Sequence, residues 1–387
     1  MITDYFNIDE LLTEEQKLIR ESVRAWTDKK VIPVIDKANQ KHEHPDFLLK
    51  EMGELGAFGS FIPEKYGGGG FDQITYGIIM QELERGDSAI RSAASVQSSL
   101  VMYPIYEFGS EKQRQKYLPK LATGELIGAF GLTEPNHGSD PGSMETKIIK
   151  KKGYYLLNGS KMWITNAPVC DIAVVWAKDE QGTVRGLIAE RGFKGFTTPE
   201  TKRKWSLRAS ATGELVFDNV KIPEENILPN ISGLKGPMMC LNSARYGIAW
   251  GALGAGFDCF NTALKYSLER KQFNKPVAGF QLTQKKLAEM LTELTAAQLM
   301  ALRVGQLKNE NKATPAQISM IKRNNVLTAL KVARESRQIL GAMGITGDFS
   351  IMRHMMNLES VITYEGTHDI HLLITGYDIT GIPAFKG

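Results

Sequence analysis

The chain has 387 residues, of which 42% are hydrophobic and 23% are charged, and its formal net charge is +4 at pH 7. This length predicts two or three domains, and this composition is typical of soluble globular proteins. The small net charge is not gathered along one face, which argues against nucleic-acid binding through a basic surface.

The cysteines and the N-terminus bear on localisation. Cys170, Cys240 and Cys259 have the spacing of neither a disulfide framework nor a metal site, which favours a reducing compartment. The N-terminal MITDYFNIDE is acidic and lacks the basic and then apolar layout of a signal peptide. No stretch reaches roughly 18 uninterrupted apolar residues, so no membrane insertion is expected. Together these features predict a cytoplasmic protein.

The first third of the chain is predicted to be helical. Thr13 and Gln16 have the spacing of a capping box, and apolar residues recur at helical intervals after them. Pro33 lies just beyond the expected end of this helix. A second helix is predicted in HPDFLLKEMGELGAFG, where it closes at a glycine, and another in SEKQRQKYLPKLATGE.

The pattern changes near Ile127. Short β-prone runs follow one another, separated by Gly, Asn, Asp and Pro, in YYLLNGSKMWIT, DIAVVWA, VRGLIAE and GELVFDNVKI. Their spacing predicts a small antiparallel sheet or barrel, because alternating strand and helix units are absent from this stretch.

After Pro229 the pattern is helical again, with long segments predicted near 234–268, 281–309 and 315–340. These lengths are typical of a helix bundle. The predicted fold class is therefore α+β and mainly α. Its predicted domains are an N-terminal helical domain (1–126), a central antiparallel β-domain (127–230) and a C-terminal four-helix bundle (231–387).

Several short patterns resemble functional motifs and are better explained otherwise. GALGAG (251–256) lies inside a helical pattern and follows no strand, so small residues that permit close helix contact explain it better than dinucleotide binding. GGGG (67–70) lacks the Gly-Lys-Ser/Thr ending of a phosphate loop. His368 and His371 are three residues apart but have no third ligand at suitable spacing, so no metal site is predicted.

Three other stretches are more informative. FGLTEPNHGSD (130–140) can direct several N–H and O–H donors at one ligand, including a phosphate. In MWITNAP (162–168), Trp163 and Thr165 are expected on the same side of a strand, where they would suit a flat ring with polar edges. In ITYEGTHDIH (362–371), Glu365 is either a solvated turn residue or a positioned base, and Thr367 has the place of a helix cap.

The chain closely resembles the acyl-CoA dehydrogenase family of flavoproteins over almost its whole length. The matching blocks are FGLTEPNHGSD, KMWITN, RKQFNKPV (270–277), QILGAMG (338–344) and TYEGTHDIH. Within the family it is most similar to the glutaryl-CoA dehydrogenases. The resemblance implies a helical domain, a β-domain and a four-helix bundle, assembled as a homotetramer.

The resemblance also implies a set of residues that bind FAD. Thr133 and Thr165 would hydrogen-bond the flavin edge, Trp163 would pack against the ring, and Ser139 would serve the pyrophosphate. Residues that would reach the FAD of a neighbouring subunit, or complete its contacts, are Arg270, Phe273, Gln338 and Thr367. His137 and Asn274 depart from the common patterns, which have small residues there, and both lie beside the motif residues.

Glu365 matches the family's catalytic base. Removing an α-proton from a thioester requires a base within about 3 Å of it, and burial makes a carboxylate more basic. Some relatives place the base on a bundle helix, where this chain has Ala244, so one candidate base remains. Arg245 and Tyr364 would line the acyl-CoA site.

Substrate choice is predicted from three residues. Glu84, Arg91 and Ser95 match the polar cluster that glutaryl-CoA dehydrogenases set at the far end of the acyl pocket, and Arg91 would bind a terminal carboxylate. The alternative is a structural ion pair between Arg91 and Glu84 on one helix face. The implied reaction is the oxidation and decarboxylation of glutaryl-CoA to crotonyl-CoA and CO₂, with electrons passed to an electron-transfer flavoprotein.

Four alternatives stay open at this point. The protein could act on another short-chain acyl-CoA, release glutaconyl-CoA without decarboxylation, or be an acyl-CoA oxidase. It could also be a non-catalytic oligomeric binding protein built on the same scaffold.

Overall fold

The computed structural model describes residues 4–384, and its N-terminal part is helical. The helices of this part are α1 (Glu14–Trp26), α2 (Ile32–Lys41), α3 (Phe47–Glu54), α4 (Gln73–Gly86), α5 (Ser88–Ser95), α6 (Tyr103–Phe108) and α7 (Glu111–Ala122). Asp87 ends α4 and caps α5 by accepting a hydrogen bond from the Ala89 N–H. This break gives α4 and α5 different directions, and both helices carry residues of the candidate site.

The start of α1 agrees with the sequence prediction and its continuation does not. Both hydrogen bonds of the capping box are formed: the Thr13 side chain accepts from the Gln16 N–H, and the Gln16 side chain accepts from the Thr13 N–H. The helical path does not stop before Pro33, however, because a π-helical turn over Thr27–Val31 leads directly into α2. Pro33 then lies in the first turn of α2, where a missing backbone N–H is tolerated.

The middle of the chain forms one seven-stranded sheet. Its strands are β1 (Gly128–Gly131), β2 (Lys147–Lys151), β3 (Tyr154–Thr165), β4 (Ile172–Lys178), β5 (Val184–Glu190), β6 (Phe196–Thr197) and β7 (Thr212–Pro223). They are ordered β1-β4-β2-β3-β7-β6, with β5 also paired to β4. The predicted β-domain is confirmed and four of its strand pairings are antiparallel, but β4 pairs in parallel with both β1 and β2, which the sequence did not predict. The long path from β1 through the β2–β3 hairpin supplies the crossover that parallel pairing requires.

The sheet has a hydrophobic core of its own. Side chains from one face, among them Leu157, Leu187 and Leu215, form a cluster separate from the larger helical core. The other face, with Val174 and Trp176 fully buried, joins that larger core. The sheet is therefore packed on both faces, and its contact with the helices fixes the ends of β1 and β3 near α5.

The C-terminal part contains three long helices and two shorter ones, with a small hairpin before the second. The elements are α8 (Lys235–Glu269), β8 (Lys271–Gln272), β9 (Lys275–Pro276), α9 (Gln281–Asn309), α10 (Pro315–Leu340), α11 (Ile351–Val361) and α12 (His368–Thr380). The three long helical segments predicted from the sequence are confirmed within one residue. Thr314 and Gln317 form a capping box at the start of α10.

Glycines let α4 and α8 approach closely. A Cβ atom added at Gly254 would lie 1.9 Å from the Gln81 carbonyl oxygen, and one added at Gly77 would lie 2.5 Å from the Trp250 ring. The GALGAG segment is thus part of a helix contact, as its helical setting predicts. Because α4 and α5 pack on α8, the helices before and after the sheet share one core.

No helix within residues 4–384 has the length and apolar character needed to cross a membrane. The domain boundaries at 126/127 and 230/231 stay a prediction. The sheet begins at Gly128 and α8 begins at Lys235 in the structure.

Candidate active site

Glu365 lies in the short loop between α11 and α12 and has an uncommon backbone conformation. Its φ is 53°, in the left-handed region that a residue with a Cβ rarely adopts, and Gly366 follows at 96°. Thr367 then caps α12 by accepting a hydrogen bond from the Ile370 N–H at 3.3 Å. The predicted cap is confirmed. Glu365 therefore lies in the turn itself, between the end of α11 and the cap of α12.

Two buried cations bind the carbonyl oxygens of this loop. The Lys322 ammonium donates to the carbonyls of Tyr364 and Gly366, each at 2.9 Å. The Arg245 Nε donates to the carbonyl of Glu365 at 2.7 Å. Three successive carbonyls are thus held by side chains from α10 and α8. We call this segment, residues 364–366, the base loop.

The Glu365 carboxyl group is largely enclosed and incompletely paired. Its Oε2 atom is buried and has no hydrogen-bond partner among the described residues. Burial raises the pKa of this carboxyl group to about 7, against the opposing effect of Arg91, Arg245 and Lys322. A carboxyl group with a pKa near neutrality can take a proton and return it in the same site.

A polar cluster lies beside the base loop. Arg91 Nε donates to Glu84 Oε2 at 2.5 Å, and its Nη2 donates to the Tyr364 hydroxyl group. Both Glu84 and Arg91 are 0% exposed. The pair fits because position 251 is a glycine, where an added Cβ would lie 2.2 Å from Glu84 Oε2. The structure therefore joins Glu84, Arg91, Tyr364 and Glu365 in one group.

The arrangement of Arg91 differs from the alternative predicted from the sequence. The ion pair with Glu84 exists, but it does not lie on one helix face, because Asp87 separates α4 from α5. The ion pair does not use every donor of Arg91, because Nη1 is buried without a hydrogen-bond partner among the described residues. The Ser95 Oγ atom is also buried without a partner there. Arg91 and Ser95 are four residues apart on α5, which places them on the same face. An unpaired buried guanidinium N–H is costly, so this face suits an anionic ligand.

The predicted flavin-contact residues of the sheet lie at its ends. Trp163 lies within an irregular part of β3, between Lys161 and Ile164; its φ is 62° and it is 57% exposed. Ile164 is buried while Thr165 is half-buried, so Trp163 and Thr165 both face away from the core. Thr133 follows β1 and is half-buried, and Ser139 is exposed in the loop beyond it. An uncovered indole ring beside hydroxyl groups fits a planar ligand with polar edges.

Sequence reasoning missed a buried ion pair that holds the loop after β1, the loop that contains Thr133 and Ser139. The Lys161 ammonium donates to Glu134 Oε1 at 2.8 Å and to the Leu132 carbonyl at 3.2 Å. Glu134 also accepts from the backbone N–H groups of Glu145 and Thr146. The signal available in the sequence was a lysine within the β-prone run YYLLNGSKMWIT. If such a lysine is buried by the sheet, it requires a partner.

A second missed residue connects the sheet to the polar cluster. Asn166 follows β3 with a φ of 67°, and its side-chain amide donates to the carbonyls of Gly128 and Ala93. Ala93 lies on α5 between Arg91 and Ser95. Asn166 therefore fixes the end of β3 against the helix that carries the cluster.

Three predicted residues lie apart from this group within the chain. Arg270 follows α8, Gln338 is in the last turn of α10, and both are exposed. Phe273 is 90% exposed at the tip of the β8–β9 hairpin. Phe273 and Asn274 both have positive φ, as a two-residue hairpin turn requires, which explains the asparagine at 274.

The two C-terminal histidines have different environments. His371 is buried, and burial together with Lys322 and Arg245 lowers its pKa to about 3, so it is neutral at pH 7. It lies against Gly366, while His368 is half-buried at the start of α12. Within residues 4–384, no three His, Cys, Asp or Glu residues are grouped as metal ligands.

Comparison with known proteins identifies the family. Models of the acyl-CoA dehydrogenase N-terminal, middle and C-terminal domains match residues 13–125, 129–220 and 232–379. The chain belongs to the acyl-CoA dehydrogenase family. Enzymes of this family use FAD.

Individual relatives include enzymes with different acyl preferences. A glutaryl-CoA dehydrogenase of Desulfococcus multivorans is 36% identical and covers 96% of this chain and 98% of its own. A short-chain specific acyl-CoA dehydrogenase of Megasphaera elsdenii is 35% identical, with 96% and 98% covered. The structure of a glutaryl-CoA dehydrogenase from Mycobacterium smegmatis in complex with FADH2 superposes with a TM-score of 0.97, at 45% identity and 98% coverage of both chains.

Proposed function

We propose that this acyl-CoA dehydrogenase is FAD-dependent and oxidises and decarboxylates glutaryl-CoA to crotonyl-CoA and CO₂. The observation that carries the choice of substrate is Arg91, which is fully buried and keeps Nη1 without a partner. A pocket for a plain acyl chain has no use for a buried guanidinium group with a free donor. A terminal carboxylate would supply the missing acceptor, and Ser95 Oγ could add a second donor.

Glu84 prepares Arg91 for this role. The carboxylate of Glu84 holds Nε from one side and accepts a hydrogen bond from the Ser88 hydroxyl group at 2.8 Å. Tyr364 holds Nη2 from the other side. The planar guanidinium group therefore has one fixed orientation, with Nη1 left for the ligand. Fixing the donor before binding reduces the entropy lost when the substrate carboxylate is bound.

Glu365 is the proposed base for the first half-reaction. Its carboxylate removes the α-proton of the thioester, and a pKa near 7 makes this proton transfer possible close to neutral pH. FAD, when bound, accepts the β-hydride. Trp163, Thr165 and Thr133 would hold the flavin ring, Ser139 the pyrophosphate and Thr367 a further part of the cofactor. The exposed indole of Trp163 supports this placement.

The second half-reaction follows from the chemistry of the product. The double bond between Cα and Cβ conjugates the thioester with the carbon that bears the distal carboxylate. The bond from that carbon to the carboxylate breaks, CO₂ leaves, and the electron pair moves into the thioester as a dienolate. Protonated Glu365 returns its proton to the γ-carbon, which gives crotonyl-CoA and restores the base.

Assembly is part of the proposal. Arg270, Phe273 and Gln338 lie exposed and far along the chain from the sheet residues, which suits residues that complete the FAD site of another subunit. We propose a homotetramer whose reduced flavin passes electrons to an electron-transfer flavoprotein. A monomer in sedimentation analysis that retains one FAD per chain would contradict the shared site.

The test is anaerobic mixing of the purified holoprotein with glutaryl-CoA, followed by flavin absorbance and product mass. Valeryl-CoA, which has the same five carbons and no distal carboxylate, is the matched control substrate. The proposal expects flavin bleaching and crotonyl-CoA with glutaryl-CoA, and much slower bleaching with valeryl-CoA. Accumulation of glutaconyl-CoA would indicate a non-decarboxylating enzyme, and peroxide formation in air would indicate an oxidase. A protein that cannot be loaded with FAD would be a binding protein.

Activity on another short-chain acyl-CoA is the second candidate function. The similarity to a short-chain specific relative supports it, and Arg91 already has Glu84 and Tyr364 as partners, so a structural role is available. Faster bleaching with butyryl-CoA than with glutaryl-CoA would favour this candidate.

A further inference from the structure

Lys322 is a buried lysine without an acidic hydrogen-bond partner. It lies on the inner face of α10 and is 1% exposed. Its ammonium group donates to two backbone carbonyls, those of Tyr364 and Gly366, and the structure shows no ion pair for it within residues 4–384. Burying an ammonium group in this way is costly. The two carbonyls that it binds flank Glu365 on both sides.

The bond pattern shows what Lys322 does for the base loop. Glu365 has a φ of 53°, a conformation that is strained for a non-glycine residue and persists only where the surroundings hold it. Lys322 joins the carbonyls before and after this residue, while Arg245 binds the carbonyl of Glu365 itself. The peptide plane before Glu365 carries the Tyr364 carbonyl and the plane after it carries the Glu365 carbonyl, so Lys322 fixes the first of these planes and Arg245 the second. The bond from Lys322 to the Gly366 carbonyl also fixes the plane that follows Gly366.

We infer that Lys322 is a positioning residue for the catalytic base: its ammonium group fixes the Tyr364 and Gly366 carbonyls, so that the Glu365 carboxylate faces the acyl pocket. This inference rests on the proposed role of Glu365. Lys322 touches neither substrate nor cofactor in this assignment and acts only through the loop and through its positive charge.

The charge has a second consequence for Glu365. The titratable or charged groups that surround this carboxyl group come from five helices and from the base loop itself: Tyr76 on α4, Arg91 on α5, Arg245 on α8, Lys322 on α10, His371 on α12, and Tyr364 beside Glu365. The three cations lower the pKa of Glu365 and burial raises it. Burial also lowers the pKa of Lys322 to about 7, so its ammonium group carries its charge on the acid side of that value. Removing one cation therefore raises the pKa, and a higher pH is needed to form the carboxylate.

The test compares Lys322→Met with Lys308→Met in the FAD-loaded protein. Lys308 is the matched control because it is also desolvated, which lowers its pKa to about 8, and its ammonium lies over the Tyr246 ring at 5.1 Å. Lys322→Met is expected to lower kcat roughly 10- to 100-fold, as small displacements of catalytic groups do, with KM within about threefold. The acid limb of the kcat/KM profile should move to higher pH, and Lys308→Met should match the wild type in all three quantities.

Amide hydrogen exchange in residues 362–370 gives a readout that does not depend on turnover. Faster exchange there in Lys322→Met, and not in Lys308→Met, is expected because the carbonyl bonds hold the loop. Lys322→Arg keeps the charge and should restore the acid limb. Should Lys322→Met fail to fold, Lys322→Gln is measured in the same way, and the acid limb of its kcat/KM profile should also lie at higher pH than in the wild type.

Two results overturn the inference: an unchanged kcat and acid limb in Lys322→Met, or equal changes in the Lys308→Met control. Failure of the proposed function looks different. In that case none of the acyl-CoA thioesters bleaches the flavin of the wild-type protein, or Glu365→Gln keeps full turnover. Either result is independent of what hydrogen exchange shows about the loop.

Discussion

Replacing Glu365 by glutamine removes the base while keeping the size and shape of the side chain. We expect Glu365→Gln to retain FAD and to bind substrate with a similar KM, because the contacts of Arg91 and the base loop do not involve the carboxyl group. Turnover should fall by about 10² to 10⁴, the usual contribution of a general base. Anaerobic flavin reduction by glutaryl-CoA measures this loss directly.

The same variant tests the environment of Glu365 through stability. A pKa raised from 4.5 to about 7 means that ionising this group costs the folded state about 3 kcal/mol. The raised pKa makes the protonated form the one that folding favours. Wild-type protein therefore loses this stability as the pH rises from about 4.5 to 7, and the glutamine variant does not.

Thermal unfolding of the FAD-saturated proteins at pH 5 and pH 8 measures the effect. For a chain of 387 residues, about 3 kcal/mol corresponds to roughly 4 °C in Tm. Between pH 5 and pH 8, the Tm of Glu365→Gln relative to that of the wild type should rise by up to this amount. An unpaired amide in the site would lower the stability of the variant at both pH values, so only the change between them is interpreted.

The control is Glu359→Gln, which alters an exposed glutamate on the preceding helix that pairs with Arg334. It should leave turnover unchanged. Full activity in Glu365→Gln would remove Glu365 as the base. A Tm difference between variant and wild type that is equal at pH 5 and pH 8 would refute the reasoning about its burial.

Three other changes address the parts that surround the base. Arg91→Met should lower kcat/KM for glutaryl-CoA by 10²-fold or more and alter that for butyryl-CoA by less than about tenfold, because it removes the proposed carboxylate donor; equal losses on both substrates would give Arg91 a structural role. Gly251→Ala should lower Tm by a few degrees and weaken glutaryl-CoA turnover, since the added Cβ would lie 2.2 Å from Glu84 Oε2; wild-type behaviour would show that this contact is not tight. Lys161→Met should reduce FAD retention on dilution because Glu134 is left buried without its cation, and undiminished retention would show that this pair does not shape the loop.

Local signals in the sequence were sufficient for most of the helices. The capping box of Thr13 and Gln16 and the cap at Thr367 are confirmed because a cap depends on a few neighbouring residues. The wrong prediction that the first helix ends before Pro33 also came from a local signal. A proline ordinarily ends a helix, and only the π-helical turn before it allowed the chain to continue.

The strand pairing could not be predicted in the same way. The strands were recognised as short apolar runs, but the parallel pairing of β4 with β1 and β2 depends on contacts between residues about 30 to 45 positions apart, such as Gly128 with Ile172 and Lys147 with Lys178. Sequence spacing alone does not distinguish this order from a meander.

The candidate site shows the same division between local and distant contacts. The loop around Glu365 was recognised from its own sequence, whereas Lys322 was missed although it interrupts the apolar face formed by Ile318, Ile321 and Val326. A lysine on such a face must find an acceptor, but the sequence does not say which one. The partner lies more than 40 residues away on a loop whose carbonyls carry no sequence signal.

The chemistry proposed for Glu365 depends on two opposing effects that no single segment could supply. Burial raises the pKa of the carboxyl group, and cations on α5, α8 and α10 lower it again. Two of these cations, Arg245 and Lys322, also hold the base loop in its left-handed turn. The side chains that set the orientation of the base therefore also limit its basicity. A carboxyl group with a pKa near 7 is the outcome of that balance, which exists only when all these helices are packed together.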